Sequence, residues 1–202
     1  MEAMQSSVAR IREKLDRLRQ EGWERHAGQL GVDRHQFRLS PPASEEDVAA
    51  FEATHGIELP ADYRIFLREL GDGGAGPYYG ILPLSRWGDH LGYFVEPVPG
   101  DYLARPNLIP LAFDRTDDWN HRLGIADDAL FQGTIAICDQ GCTYLALLVV
   151  SGPARGRVLY VDLDLQPPLF VSDLSFLAWY ERWLDETLAG MEIVWFGCAP
   201  PR

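Results

Sequence analysis

Residues 44–74, SEEDVAAFEATHGIELPADYRIFLRELGDGG, contain start and stop signals for two successive helices and decide the fold. Ser44 with Asp47 forms a variant of the capping box, in which side chains satisfy the free backbone N–H groups at a helix start. Gly56 suits the left-handed position that ends a helix. Together these signals predict a helix from Ser44 to about His55.

Pro60 belongs to the first turn of a second predicted helix, from Ala61 to Leu70, because a helix start needs no N–H donor there. One side of this helix is apolar and is expected to face a core. Its members are Tyr63, Phe66, Leu67 and Leu70. Gly71 is expected to end the helix.

Two further helices are predicted towards the ends of the chain. The first has Ser6 or Ser7 as its N-cap and an apolar stripe at i, i+3, i+7 and i+10, namely Val8, Ile11, Leu15 and Leu18. The last is expected to start at Ser172 or Asp173 and to end at Gly190. Its expected buried stripe is Leu174, Leu177, Leu184 and Leu188.

Three short apolar runs after residue 130 predict strands, at 133–139, 143–150 and 157–163. The segment 151–156 between the last two has the composition of a hairpin turn. Additional strands are predicted at 78–84, 108–113 and, as an edge strand, 191–196, whereas 26–43 reads as irregular. Helices followed by strands, without βαβ alternation, indicate a single α+β domain.

The 202 residues carry 30 acidic and 18 basic side chains, a formal net charge of −12. Nucleic acids and anionic membranes recruit Lys and Arg, so this charge argues against both as partners. Three cysteines are too few for a disulfide scaffold. We find neither a signal-peptide pattern nor an apolar run of about 20 residues, and therefore expect a cytoplasmic protein.

Two short motifs resemble functional sites but lack the context those sites need. Residues 71–76 match the dinucleotide pattern G-x-G-x-x-G, yet they follow a helix, whose C-terminal dipole repels phosphate. Cys138 and Cys142 have no histidine nearby, and a zinc site needs about four ligands. We therefore expect neither a cofactor nor a metal.

No catalytic constellation is evident either. The five histidines form no H-E-x-x-H or i, i+4 pair, and no serine lies in a G-x-S-x-G turn. The carboxylates of residues 89–139 could serve a metal-dependent hydrolase, but such an enzyme needs cations for its substrate phosphate, and few are present. We expect a protein without enzymatic activity.

Residues 51–74 resemble the signature of the SUKH superfamily, which includes fungal cell-wall-synthesis regulators and many bacterial immunity proteins. The likeness lies in an acidic-aromatic helix, a Gly-x-x-Leu-Pro turn, a Tyr-x-x-Phe-Leu helix and a Gly-x-Gly-Gly loop, followed by Pro-Tyr-Tyr-Gly-Ile. Later segments are similar too, including Gly133-Thr-Ile and Ser175-Phe-Leu-Ala-Trp-Tyr. The likeness covers about residues 44–188.

The resemblance implies a mostly antiparallel central sheet flanked by helices, and a non-enzymatic role. We expect residues 1–40 to form an N-terminal helix and connector, and residues 41–196 to form the SUKH-like domain. The matched positions are implied to be structural: Leu59, Pro60, Tyr63, Phe66, Leu67, Gly71, Gly73 and Gly74.

Bacterial relatives of this kind are cytoplasmic immunity proteins that bind and neutralise a toxin domain, often a nuclease. A nuclease must be cationic to hold nucleic acid, so an inhibitor gains association rate from a surface of opposite sign. We therefore expect a basic, nuclease-like toxin domain as the partner. The hypothesised partner-binding patch is Asp114, Asp117, Asp118, Asp127 and Asp128, with Trp119 as an apolar anchor.

Two other functions remain open at this point. A regulatory or scaffold domain would bind proteins without a dedicated toxin partner, and the position of a toxin gene next to this one would separate the two cases. A small hydrolase would need a cleft that contains groups with perturbed pKa values.

Overall fold

The structure is a computed structural model that describes residues 2–89, 91, 97–113, 121, 123–164 and 166–193. Its α-helices are α1 (Glu2–Glu21), α2 (Val32–His35), α3 (Glu45–His55), α4 (Ala61–Glu69) and α5 (Phe176–Leu188). Its strands are β1 (Thr134–Gly141), β2 (Tyr144–Val149), β3 (Val158–Asp162) and β4 (Leu169–Phe170). Short 3₁₀ helices span Trp23–His26, Leu84–Arg86 and Asp127–Ala129. The predicted α+β class is confirmed.

The four strands form one antiparallel sheet in the order β1-β2-β3-β4. The three apolar runs predicted as strands are β1, β2 and β3, and β2 and β3 form the predicted hairpin. Ala146 of β2 pairs with both Cys138 of β1 and Tyr160 of β3, so these three side chains share one face of the sheet. Both faces of the central strands are buried, because every residue from Leu145 to Val149 is inaccessible to solvent.

The sheet continues beyond β1 through three isolated bridges. Ile81 bridges to Cys138, Gly74 bridges to Ile81, and Leu39 bridges to Gly74, all antiparallel. The segments around Leu39, Gly74 and Ile81 thereby extend the sheet on its β1 side. The predicted strand at 78–84 is wrong: only the single residue Ile81 pairs, because a turn at Pro77–Gly80 occupies the start of the segment.

This extension depends on glycines with left-handed backbone conformations. Gly80 has φ +95°, and a Cβ there would lie 2.2 Å from the carbonyl oxygen of Gly74. Gly74 has φ +101°, and its added Cβ would lie 2.6 Å from the carbonyl oxygen of Arg38. Only a residue without a side chain permits this close approach of backbones.

We predict that Gly80→Ala destabilises the protein by about 2 kcal/mol or more, because the methyl group clashes with the Gly74 carbonyl and the left-handed conformation becomes strained. Chemical denaturation monitored by circular dichroism measures this change. Gly88→Ala is the matched control, because a Cβ there meets nothing within 4 Å. Equal stability of the two variants would contradict the prediction.

Helix α5 packs on the sheet through buried aromatic residues. Trp179 Nε1 donates a hydrogen bond to the Tyr160 hydroxyl at 2.8 Å, and the Tyr180 hydroxyl donates to the carbonyl oxygen of Ala75 at 2.8 Å. Trp183 is also fully buried. The helix therefore contacts both the sheet and the glycine-rich segment that extends it.

Helix α1 packs on α5, and its predicted apolar stripe is confirmed as the buried face. Its cations pair with carboxylates of α5: Arg10 binds Glu181 at 2.6 Å, and Lys14 binds Glu181 at 2.9 Å and Asp185 at 2.6 Å. The Arg10 guanidinium holds the pKa of Glu181 below its usual value. These contacts neutralise part of the basic charge near the N-terminus.

The two helices of residues 44–74 form as predicted, and α3 carries the predicted capping box. Ser44 Oγ accepts from the Asp47 N–H at 3.0 Å, and Gly56 ends α3 with φ +63°. Helix α4 ends at Glu69, one residue before the predicted end, with Leu70 as its C-cap.

Helix boundaries elsewhere differ from the predictions. Helix α1 starts at Glu2, so Ser6 and Ser7 lie inside it, where their hydroxyls accept hydrogen bonds from Arg10 instead of capping. Helix α5 starts at Phe176 because Ser175 caps it, its hydroxyl accepting from the Ala178 N–H at 3.3 Å.

Several local predictions are wrong. Leu174 precedes α5 and is 77% exposed. Residues 108–113 form no strand, because Pro110 has no N–H to donate to a ladder. Segment 26–43 contains the end of one 3₁₀ helix and all of α2, and 191–193 form no strand, whereas 194–196 lie outside the described residues.

Helix α2 is fixed by a buried histidine. His35 Nδ1 accepts a hydrogen bond from the Phe37 N–H at 3.1 Å, and the ring lies edge-on to Phe37 and Trp183. Burial holds the pKa of His35 at about 4, against the opposing effects of a hydrogen bond with the Gly76 backbone and the Asp33 charge. Protonation would remove the lone pair that Phe37 uses, so the folded state requires neutral His35.

We predict that His35 contributes a pH-dependent part of the stability. Its pKa of about 4 when folded lies below the unfolded value, so the unfolded chain binds more protons between about pH 4 and 6.5. Stability should therefore decrease by about 3 kcal/mol as the pH is lowered from about 6.5 to about 4. Urea unfolding of the wild type and His35→Asn measures the effect, since Asn retains an acceptor but does not titrate. Parallel stability curves for the two proteins would contradict the prediction.

Candidate protein-binding surface

The described part of the acidic segment forms a lobe in which residues 101–111 pack against residues 125–133. Asn107, fully buried, connects the two halves. Its Nδ2 donates to the carbonyl oxygens of Leu130 at 3.2 Å and Gln132 at 3.0 Å, and its Oδ1 accepts from the Ile109 N–H at 3.2 Å. One side chain therefore holds both segments in a fixed relation.

The lobe is also joined to the sheet. The Asn107 N–H donates to the carbonyl oxygen of Ser151 at 2.9 Å, and the Gly133 N–H donates to that of Tyr102 at 2.9 Å. Gly133 has φ +67°, and a Cβ there would lie 2.4 Å from the Arg105 carbonyl oxygen. The start of β1 thus positions the lobe through backbone contacts.

Carboxylates project from this lobe into solvent. Asp127 and Asp128 are exposed and occupy the short 3₁₀ helix Asp127–Ala129. Asp101 is exposed too and forms an ion pair with Arg105 at 2.9 Å, and this hydrogen-bonded contact lowers the pKa of its carboxyl group. These acidic side chains are therefore displayed at the surface of the lobe.

A buried tyrosine lies beneath these charges. Tyr102 is fully buried, and its hydroxyl has no hydrogen-bond partner among the described residues. Burial and, to a smaller extent, the negative charge of Asp128 raise the pKa of Tyr102 to about 12, while Arg105 opposes this shift. The phenol is therefore neutral at physiological pH and cannot act as a base.

Two leucines of the lobe are half exposed. Leu108 is 52% and Leu111 53% accessible, on either side of buried Ile109. Exposed apolar side chains and exposed carboxylates on one lobe provide the composition of a protein-binding surface.

The structure describes two residues of the hypothesised patch, Asp127 and Asp128, and places both at the surface. The other four, Asp114, Asp117, Asp118 and Trp119, lie outside the described residues. Leu108 and Leu111 were not predicted as surface residues. Pro110 lies between them, and a proline cannot donate a hydrogen bond within a strand. It was the sequence signal that residues 108–113 do not form one.

The residues assigned structural roles surround the start of α4 and the glycine loop. Leu59, Tyr63, Phe66 and Leu67 are buried in the core, and Pro60 directly precedes α4. Gly71, Gly73 and Gly74 lie where two backbone segments come close together. A Cβ at Gly71 would lie 2.5 Å from the Ser40 carbonyl oxygen.

Among the described residues, no group of three or more His, Cys, Asp or Glu side chains could hold a metal ion. No helix in the described ranges is long and apolar enough to cross a membrane.

We predict that Asn107→Ala lowers the free energy of unfolding by about 2 kcal/mol, because it leaves two buried carbonyl oxygens without donors. Hydrogen exchange should show faster amide exchange across 101–111 and 125–133 than in the wild type. Gln20→Ala, at an exposed position of α1, serves as a control for the loss of an amide. Unchanged exchange in both segments of Asn107→Ala would contradict the role given to this side chain.

Comparison with known proteins supplies one family match. The profile described as the SMI1 / KNR4 family (SUKH-1) matches residues 42–182. The match includes α3, α4, the glycine-rich extension, the acidic lobe and the first part of α5, whereas α1 and α2 precede it. No curated protein matches the chain.

Proposed function

Because this chain belongs to the SMI1 / KNR4 family (SUKH-1), we propose that it is a non-enzymatic immunity protein. It binds a cognate toxin domain through its acidic surface and so neutralises the toxin. The family is associated with protein partners in general.

The observation that carries the proposal is the exposure of Asp127 and Asp128 on a lobe that also exposes two leucines, Leu108 and Leu111. Residues 89–139 contain nine acids and three arginines, and the lobe lies within this acidic segment. A nuclease domain presents cations where nucleic acid binds, and carboxylates can occupy those positions in place of phosphates. Opposite charges also accelerate the encounter of two proteins.

The first test is co-expression of this chain with the product of the neighbouring gene, followed by affinity purification. A stoichiometric complex in which a toxic activity is switched off would support the immunity function. A stable complex without loss of any toxic activity would favour the alternative, a regulatory or scaffold domain. Failure to capture the neighbouring protein at low and moderate salt would contradict the proposal.

We predict that reversing the charges of the lobe slows toxin binding. Asp127→Arg combined with Asp128→Arg should lower the association rate constant about tenfold or more at low ionic strength, with the difference shrinking as salt is added. Surface plasmon resonance at several salt concentrations measures this dependence. The dissociation rate should change less, because exposed charges act mainly on the encounter.

The matched control is Glu13→Arg combined with Glu24→Arg, which changes the net charge equally. Both glutamates are exposed, and no ion pair joins either one to another described residue. The control should bind nearly as fast as the wild type if the lobe itself faces the toxin. Equal slowing by both variants would show that only net charge matters and would overturn the assignment of the surface.

The same binding experiment applies to the remaining residues of the hypothesised patch. Reversal of Asp114, Asp117 and Asp118 is expected to act on the association rate in the same way. Trp119→Ala is expected to raise the dissociation rate instead, because an aromatic anchor contributes buried apolar contact.

A further inference from the structure

An arginine-lined groove lies on a different part of the molecule. It has a volume of about 480 Å³ and is bordered by Arg34 and Arg38, by the Tyr79 ring, and by backbone of Ser40 and Gly74. A second groove, of about 470 Å³, adjoins it across Leu39 and Ser40 and carries Arg12 and Arg19 of α1. We call the two together the arginine groove.

The arginines at its centre differ from most others of the chain. Most other described arginines bind carboxylates or carbonyl oxygens; Arg10, Arg64 and Arg68, for example, form ion pairs with glutamates. Neither Arg34 nor Arg38 has a carboxylate partner among the described residues, although the chain has an excess of acids. Two unpaired guanidinium groups in one groove provide a site for carboxylates.

One of these arginines is held in place by an aromatic ring. The guanidinium carbon of Arg34 lies 4.1 Å from the centroid of the Tyr79 ring, a cation–π contact. The ring itself packs against the backbone of β1, since a Cβ on Gly141 would lie 2.8 Å from Tyr79 Cε2. The contact leaves the hydrogen-bond donors of Arg34 available to a ligand.

The backbone around the groove is strained. Gln36, Phe37 and Tyr78 have φ values of +49°, +58° and +51°, which residues other than glycine rarely adopt. Gln36 and Phe37 lie between the two arginines in sequence. Such backbone strain is concentrated at functional sites.

The edge of the extended sheet runs through the groove. The Ser40 N–H donates to the Gly73 carbonyl oxygen at 2.9 Å, and the Ala75 N–H donates to that of Arg38 at 2.8 Å. Leu39 lies between these bonds, so its own N–H and C=O point away from Gly74, and neither forms a hydrogen bond within the described residues. An extended peptide can pair with them, as in recognition by strand addition.

We propose that the arginine groove binds an extended, acidic segment of a partner protein. Carboxylates of the segment pair with Arg34 and Arg38, and its backbone pairs with Leu39. This surface is opposite in sign to the Asp127–Asp128 lobe, and the inference goes beyond the proposed function because it does not depend on the partner being a toxin.

Charge density favours a peptide over a nucleic acid as the occupant. A polynucleotide carries one charge per phosphate along its whole length, and the acidic remainder of this chain would repel it. Carboxylates spaced along a peptide can meet two separate arginines without bringing further charge against the acidic surface. The groove is therefore suited to a short segment of local negative charge.

The test uses the full chain and a fluorescein-labelled decapeptide in which three Glu residues are separated by Gln and Asn, with binding measured by fluorescence anisotropy at low salt. Arg34→Gln combined with Arg38→Gln should weaken binding at least tenfold, because it removes both guanidinium groups that pair with carboxylates of the peptide. The control, Arg17→Gln combined with Arg25→Gln, removes the same charge outside the groove and should remain within twofold of the wild type. Thermal unfolding verifies that both variants fold.

Further arms of the experiment separate the possible ligands. A decapeptide of Gln and Asn should bind at least tenfold more weakly than the acidic one, and inorganic phosphate at 10-fold excess over the peptide should not displace it. Equal weakening by the two arginine pairs would overturn the proposal. So would tighter binding of a single-stranded oligonucleotide than of the acidic peptide, or displacement of the peptide by phosphate.

Discussion

The packing of α5 against the sheet is the interaction on which the rest of the structure depends. Trp179 is hydrogen-bonded to Tyr160 of β3, and Tyr180 to Ala75 of the glycine-rich segment, so one helix holds the strands and the extension together. Both bonds are buried, where an unpaired N–H or O–H would be costly. The next turn of the same helix provides Trp183, against which His35 of α2 packs, and α1 covers the adjacent face. The N-terminal helices are thus attached to the domain core through α5.

Close backbone approach links this core to the arginine groove. Single bridges from Leu39 to Gly74 and from Gly74 to Ile81 require positions without a Cβ, and the turns between them require left-handed conformations, some of them at residues other than glycine. Burial of the aromatic core around these positions offsets the free-energy cost of their strained backbone. The same geometry leaves Leu39 at an open edge beside Arg34 and Arg38. A constraint of packing therefore creates a surface suited to binding.

Ion pairs neutralise many of the charged side chains of the helices. The cations of α1 and α4 are largely neutralised by glutamates and aspartates of neighbouring helices. Exposed pairs of this kind add little to stability. Asp127 and Asp128 are exposed on the lobe, whereas Arg34 and Arg38 border the groove and have no carboxylate partner among the described residues. A protein with net charge −12 thereby presents surfaces of both signs.

Local signals in the sequence determined the elements whose causes are local. The Ser44–Asp47 capping box, Gly56, the stripe from Val8 to Leu18 and the apolar runs of β1 to β3 predicted their helices and strands, because caps and periodicity act within a few residues. The same signals led to the α+β class and to the family resemblance. The predicted start of α5 was wrong because Ser172 and Ser175 are both suitable N-caps, and Ser175 caps the helix. Asp127 and Asp128 could be chosen as exposed acids by composition alone. The arginine groove, the neutral state of His35 and the exposure of Leu108 were decided only by the tertiary structure, because each depends on segments distant in sequence that burial and backbone hydrogen bonds bring together.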